Sequence, residues 1–447
     1  MHKVRYLCCD NTLKLRHKVT LGSGWKSNGP TSLITKTFMK YTKYLKKKQL
    51  KKRFRKKLQT SRTAGLDGVS PEKFAKCIDE EVKIIRRKIK NFSYSMTPFK
   101  EKYILKGKNS PPRTVHIPTV RDRLVLDALN IYLNDGFKEQ LEPHKKSVQQ
   151  IISEILTVYN SEKFDSFLKF DVKNFFPSID HDILISKLKE KITEKTALSV
   201  IRKTLHRSEH GIAQGLSVAG TLANIYLNQT DNEFINLPNL RYFRFVDDIL
   251  ILCNEEDASS IRVRIEDHME RLKLELHSLQ VGGKSEIGKL KEDKLEYLGF
   301  TFHKEKISVR PTTVEKLRKR IRSVFLEELE VGTTPTKHQL QNLHRKLNLK
   351  ITGCFYDGKT YGWLFFFSQI NDLTLLYHLD WFVKQTFKSF RVEFQPEKVK
   401  SFVKAYYYMK GLQLEKLDKN SYIPSFSSED TEHENLISIG AIEGLIK

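Results

Sequence analysis

Apolar and aromatic residues predominate in Arg241–Leu252, which holds two adjacent carboxylates, Asp247-Asp248, before turning apolar again. Tyr242, Phe243, Phe245 and Val246 lead in, and Ile249, Leu250, Ile251 and Leu252 lead out. That pattern predicts strand, tight turn, strand, with two adjacent carboxylates at the tip of a β-hairpin. A second apolar run, Phe167–Phe170, ends at Asp171, and Phe176 follows five positions later. Between these segments, Gly211–Ser217 leads into a helix-like stretch, Leu222–Leu227. Helical spacing is also predicted around Pro71–Ile89 and Arg121–Phe137, and over Thr312–Leu329. In the last, Val314, Leu317, Ile321, Val324 and Phe325 share one face. Residues 335–420 read as helical, with Trp363, Phe365, Phe366, Phe367, Trp381 and Phe382 as core aromatics. Residues 1–35 read as a loose extension and Ser425–Asn435 as a polar, mobile tail.

Charge points to a class of partner. The 447 residues carry 79 Lys+Arg against 53 Asp+Glu, a formal net charge of +26, which favours a polyanionic partner, nucleic acid first. The densest basic segment, Lys40–Lys57, interleaves Tyr41, Tyr44, Leu45, Leu50 and Phe54 at partly helical spacing. A basic helix lying on RNA is predicted there, against the alternative of a solvated helix face. No run of about 18 apolar residues is present, so no membrane span is expected. No apolar stretch follows the first residues, so a signal peptide is not expected and a cytoplasmic location is. Five scattered cysteines without a CxxC pair suit a reducing compartment and argue against a zinc site.

Two like charges side by side on a buried hairpin repel each other and are hard to desolvate. A bound hard cation such as Mg²⁺, which takes carboxylate oxygens together with substrate phosphates, is a strong reason to keep them there. A solvated acidic turn is the bland alternative.

The order of these segments narrows the choice. Strand with Asp171, Gln214-Gly215 loop with helix, then Asp247-Asp248 hairpin resembles motifs A, B and C of a reverse transcriptase palm. Ala64–Ser70 and Arg113–Arg123 look like two fingers motifs of the group II-intron-like lineage, and Leu298-Gly299-Phe300 resembles its primer-grip turn. The resemblance spans roughly residues 60–310. It implies an α+β right-hand polymerase: a basic extension over 1–62, fingers over 63–144, palm over 145–304, helical thumb and C-terminal region over 305–420, and a polar tail over 421–447.

The resemblance also assigns roles. Asp171 and Asp247 would be the principal ligands of two Mg²⁺ ions (Mn²⁺ being an alternative), with Asp248 a weaker ligand and the Val172 carbonyl an additional one. Two ions about 3.5–4 Å apart activate a primer hydroxyl and neutralise a pyrophosphate leaving group. Phe176 matches the steric gate that leaves no room for a 2′-hydroxyl, with a strand–helix core position as its alternative reading. Gln214 and Gly215 match the loop at the incoming nucleotide, although the family's Pro-Gln-Gly-Ser-Pro is here Ala213–Ser217. Arg113, with Lys106 or Lys108, would bind the triphosphate. Lys284 lies near the lysine that protonates the leaving pyrophosphate. Lys47, Lys51, Arg53, Arg121, Arg123, Lys316 and Arg320 are expected on nucleic acid, Arg121 and Arg123 having Asp122 as an alternative partner.

Lys350–Trp363 does not look like an intron maturase domain. It looks closer to the prokaryotic defence-associated reverse transcriptases of the unknown-group branch, with type 3 as a candidate. The expected partners are therefore an RNA template, including a dedicated non-coding RNA, dNTPs, a DNA product, and a partner reverse transcriptase or a second copy. The rival readings are an intron-derived maturase, an RNA polymerase with the same palm, and template-independent or protein-primed DNA synthesis. For protein priming, Tyr406–Tyr408 supply hydroxyls, but a packed aromatic helix explains them more simply.

Overall fold

A computed structural model of the chain describes residues 40–61, 63–105, 112–208, 210–330, 334–411 and 422–427. Lys106 and Lys108 lie outside the described residues, as do residues 1–35 and most of the C-terminal tail.

The basic segment is folded against the body. Tyr41, Tyr44, Leu45, Leu50 and Phe54 are buried, and helix α1 (Lys47–Arg53) runs into a π-helical turn, Phe54–Leu58. The helix expected over Pro71–Ile89 is two helices. Ser70 caps Pro71–Lys76, and the chain breaks at Cys77 (φ −115°, ψ 17°) before α2 (Ile78–Lys90). Strands β1 (Lys100–Ile104) and β2 (Arg113–Ile117) pair antiparallel. Helix α3 (Val120–Gly136) is capped by Thr119, and α4 (Val148–Asn160) opens on a Ser147–Gln150 capping box.

The central sheet has four antiparallel strands in the order β4-β5-β3-β6: β3 (Ser166–Asp171), β4 (Leu240–Phe245), β5 (Asp248–Cys253) and β6 (Glu286–Lys289). Strand β3 is buried on both faces, which explains its unbroken apolar run. On one face Phe167, Phe243, Leu250 and Leu252 join a large core with the later helices. Helices α5 (Ala219–Ile235) and α6 (Glu255–Arg271) flank the sheet, α5 beside β4 and α6 beside β3. A smaller sheet, β7 (Leu295–Tyr297), β8 (Phe300–His303) and β9 (Lys306–Val309), follows. Its first turn uses left-handed Leu298 and Gly299 (φ 47° and 88°).

Helix α7 (Pro311–Glu328) buries all five residues of its predicted apolar face, and Lys316 and Arg320 stand exposed on the other side. Helices α8 (Lys337–Thr352), α9 (Leu373–Ser389) and α10 (Phe402–Met409) complete the core with Trp363 and Phe367. Trp381 departs from the core reading: it is 61% exposed. The tail also departs in part, because Ser425–Phe426 pair parallel with Cys354–Tyr356. The architecture is α+β. Among the described residues no helix is long and apolar enough to cross a membrane.

Candidate active site

Strand register brings the acidic residues together. Asp171 lies directly opposite Asp248 where β3 pairs with β5, and Phe245 closes the hairpin opposite Asp248. The turn between β4 and β5 passes through Val246 in the left-handed region (φ 62°), an unusual conformation for a β-branched residue. Burial, with the charge of Asp171, raises the Asp247 carboxyl above its ordinary range, opposed by its own backbone amide, Arg113 and Lys284. Burial and the charges of Asp247 and Asp171 push Asp248 up to about 6. Asp247 and Asp248, both raised by burial and neighbouring carboxylate charge, form with Asp171 a hard-oxygen donor set, which suits a divalent cation. Among the described residues no three His, Cys, Asp or Glu groups form a ready-made metal cage. Mg²⁺ does not need one, since it is usually held by one or two carboxylates plus water and substrate phosphates.

The shift at Asp248 has a consequence for folding. Between the unfolded pKa near 4 and the folded value near 6, the native state holds more protons, so stability falls as pH rises through that window. In chelator, Asp248→Asn is expected to be more stable than wild type at pH 8, by on the order of 1 kcal/mol after solvent screening. The gain should vanish near pH 4 in denaturant titrations. Equal stability at pH 8 would contradict the buried, like-charged environment.

Lysine, histidine and arginine nitrogens surround the carboxylates. Lys284 Nζ lies 3.4 Å and His277 Nε2 3.2 Å from Asp171 Oδ1, and these two nitrogens are 3.0 Å apart. The His277 amide donates to the Asp171 carbonyl (2.9 Å), and Val172 bridges to Leu276. Lys284 thus lies beside Asp171, and so does His277, which carried no recognisable signal in the sequence. Arg113, at the start of β2, donates through Nε to the Gln214 side chain, and its charge reaches Asp247. The Gln214 carbonyl accepts the His116 amide (2.7 Å), which seats the loop on β2. Gly215 (φ 101°) is required there, because a Cβ would stand 2.6 Å from the His116 carbonyl oxygen.

Phe176 follows left-handed Asn174 in the short helix Phe175–Ser178. Phe175 is buried, while the Phe176 ring stays partly exposed, 5.5 Å from it. The Phe176 carbonyl accepts the Ile212 amide (2.8 Å), so this corner and the Gln214 loop are joined. The Tyr297 hydroxyl donates to the Asp248 carbonyl (3.0 Å), fastening the Leu298-Gly299 turn to the same hairpin. Residues 104–302 match the family model described as reverse transcriptase (RNA-dependent DNA polymerase). The chain carries a reverse transcriptase domain.

The chain is 26% identical over 196 residues to the group II intron-encoded protein LtrA of Lactococcus lactis subsp. cremoris, covering 40% of this chain and 32% of that protein. It is 30% identical over 190 residues to an uncharacterized 91 kDa protein in the cob intron of Schizosaccharomyces pombe, covering 39% and 22%. The chain therefore spans about a third or less of these relatives' lengths. Among solved structures, it is similar to a telomerase from Candida albicans in complex with a fragment of telomeric RNA. There the identity is 13%, the coverage 77% of this chain and 62% of that chain, and the TM-score 0.43.

Several basic residues away from the carboxylates have protein partners that the sequence did not reveal. Lys47 and Lys51 both pair with Asp79 (2.5 and 2.6 Å), and Arg53 and Lys57 with Asp127 (3.2 and 2.6 Å). Arg121 pairs with Glu81, not Asp122, and Arg123 donates to the Ser61 hydroxyl and the Thr63 carbonyl. Asp122 instead accepts from Tyr94, Thr97 and Thr119 at the start of α3. These pairs fix the basic segment in place and reduce what Lys47, Lys51, Arg53, Arg121 and Arg123 have left for phosphates. Lys48, Lys52, Arg55 and Lys56 are exposed on the same segment. Replacing these four with Gln is expected to flatten the slope of log affinity for single-stranded RNA against log salt by roughly 0.7 for each phosphate no longer neutralised. Replacing Lys47 and Lys51 should chiefly lower the melting temperature. A slope unmoved by the fourfold change would make the segment a solvated face.

Proposed function

We propose that the chain is an RNA-directed DNA polymerase acting in antiviral defence, built as fingers (63–144), palm (145–304) and helical thumb with C-terminal region (305–420). The observation that carries the polymerase reading is the register of Asp171 against Asp248, with Arg113 and Gln214 joined beside the same turn. Asp171 and Asp247, assisted by Asp248 and the Val172 carbonyl, would hold two Mg²⁺ ions (or Mn²⁺). When bound, the ions supply Lewis-acid activation of the primer hydroxyl and charge neutralisation on the leaving group.

The chain's own residues do the rest. Arg113 presents a planar fork to the triphosphate, oriented by its hydrogen bond to Gln214. Gly215 brings backbone close to the nascent base pair, and Phe176 excludes a 2′-hydroxyl. The primer 3′-hydroxyl would lose its proton to water as its oxygen bonds to the α-phosphorus and the bond to pyrophosphate breaks, while Lys284 would give the pyrophosphate a proton and regain one from solvent. Lys316 and Arg320, on the exposed side of α7, would follow the template–primer backbone. Extension of a DNA primer on an RNA template by dNTPs in Mg²⁺ tests the activity, and absence of extension in every template–primer pairing would overturn it.

The defence role rests on the resemblance of Lys350–Trp363 and implies a cytoplasmic protein working with a non-coding RNA, a partner reverse transcriptase or a second copy. Phage plating on cells carrying the native locus or its Asp247→Ala version tests it. Fewer plaques on the native locus alone support the role, and equal numbers across a broad phage panel remove it. Similarity to intron-encoded proteins favours one second reading, RNA binding that promotes splicing. Splicing activity that survives Asp247→Ala would mark that reading.

A further inference from the structure

Behind the acidic turn lies a charged cluster that the proposed chemistry does not use. The side chains of Arg244 and Asp231 are each 1% exposed, and that of His144 is 7% exposed. Arg244 Nε and Nη2 donate to Asp231 Oδ1 and Oδ2 (2.7 and 2.6 Å), a two-pronged pair between β4 and α5. Its Nη1 donates to Asn224 Oδ1 (3.0 Å), also on α5, and to the carbonyl of Val246 (2.8 Å). The Tyr242 hydroxyl donates to Asp231 Oδ1 (2.9 Å). His144 Nε2 lies 3.0 Å from Asp231 Oδ2 and 3.1 Å from Arg244 Nη2. Burial is the largest influence on the Asp231 carboxyl and would raise it, but the charge and hydrogen bonds of Arg244, together with those of His144, outweigh it and hold the group at about 2.

A purely structural ion pair explains this cluster poorly. Taking two charges out of water costs about as much as their attraction returns, and apolar replacements are often neutral or stabilising. What an apolar pair lacks is a donor for Val246. That residue immediately precedes Asp247, and its left-handed backbone is strained for a β-branched side chain and persists only where its surroundings hold it. The Arg244 guanidinium holds the turn at Val246, and Tyr297 holds it at Asp248, two residues on. On its outer side the cluster borders a cavity of about 770 Å³ lined by His144, Tyr242 and Arg244. A shortened side chain at 244 would therefore admit water instead of being replaced by packing.

We propose that Arg244 is a positioning residue: its guanidinium fixes the Val246–Asp247 turn so that Asp247 and Asp248 face Asp171. Through Asp231 and Asn224 it also ties that turn to α5, the helix that follows the Gln214-Gly215 loop. The inference rests on the reading of the three carboxylates as a metal site.

The test uses the full chain and Mn²⁺ alone, titrated by the loss of the free-ion electron paramagnetic resonance signal, with circular dichroism melting alongside. Arg244→Lys keeps a charge but offers a point donor in place of a planar fork. Because that variant risks leaving Asp231 poorly compensated, the double variant Arg244→Met/Asp231→Asn removes both buried charges while keeping an amide oxygen to accept from Tyr242. Both are expected to bind Mn²⁺ roughly tenfold more weakly or worse, the usual cost of removing support behind a metal ligand. The Mg²⁺ concentration for half-maximal incorporation should shift with it, while RNA affinity stays unchanged. Wild-type Mn²⁺ affinity in a folded double variant would overturn the positioning role and leave the metal site standing. Wild-type Mn²⁺ affinity in an Asp247→Ala control would instead overturn the metal-site reading, and the positioning role with it.

Discussion

Asp247→Ala is expected to lower nucleotide incorporation by on the order of 10³ or more, with the fold intact. The cause is electrostatic. Asp247 is a partly buried carboxylate raised by burial and by the charge of Asp171, so the native structure stores unfavourable charge at this point. Removing it relieves that repulsion, and thermal stability in chelator should hold or rise. What is lost is a donor to the cations that the reaction needs. Asp171→Ala should act alike on activity, and it also frees Lys284 and His277 from their shared partner. Asp248→Ala should be damaging but less complete, because Asp248 is the weaker ligand in this reading. Radiolabelled dNTP incorporation by the purified variants, normalised to folded protein, checks the ranking. Near-wild-type incorporation by Asp247→Ala would remove the two-metal account.

Phe176→Ala is expected to shift the ratio of ribonucleotide to deoxynucleotide incorporation upward by roughly 10–100-fold. That is the range over which a pocket wall discriminates small substituents by shape. The structure separates this side chain from its neighbour: Phe175 is buried, and Phe176 keeps an exposed edge beside the Gln214 loop. Truncating Phe176 should therefore cost less stability than truncating Phe175, and the sugar preference is the informative readout. Steady-state kcat/KM for paired dNTP and rNTP substrates measures it. If the wild type already takes both sugars equally, the gate is elsewhere and the RNA-polymerase alternative gains.

The acidic site was legible because its elements are local. An apolar run ending in Asp171 and an apolar run broken by Asp247-Asp248 each specify a strand, and pairing the strands sets the carboxylates opposite each other. Helix α7 was legible for the same reason, its periodic face being the face it buries. The sequence could not show partners far away in the chain. The ion pairs of Lys47 and Lys51 with Asp79, and of Arg53 with Asp127, join positions that only packing of α1 against α2 and α3 brings together. His277 reaches Asp171 because Val172 bridges to Leu276, a single isolated pairing with no periodic signature. Arg244 did leave a trace. It is a charge in an aromatic strand, whereas Asp231 lies in the polar run Asn228–Glu233 of α5, and nothing local links the two. The break at Cys77 and the exposure of Trp381 likewise follow from packing, not from spacing.

Sequencing what the protein makes is the decisive measurement. The full chain, supplied with a defined RNA template, an annealed DNA primer, Mg²⁺ and all four dNTPs, is predicted to extend the primer with DNA complementary to the RNA. The product should be absent when Asp171 or Asp247 is Ala, and should give way to no RNA product when rNTPs are added in equal amount. Extension whose sequence ignores the template, or complementary DNA made equally by Asp247→Ala, would refute templated, carboxylate-dependent DNA synthesis at this site.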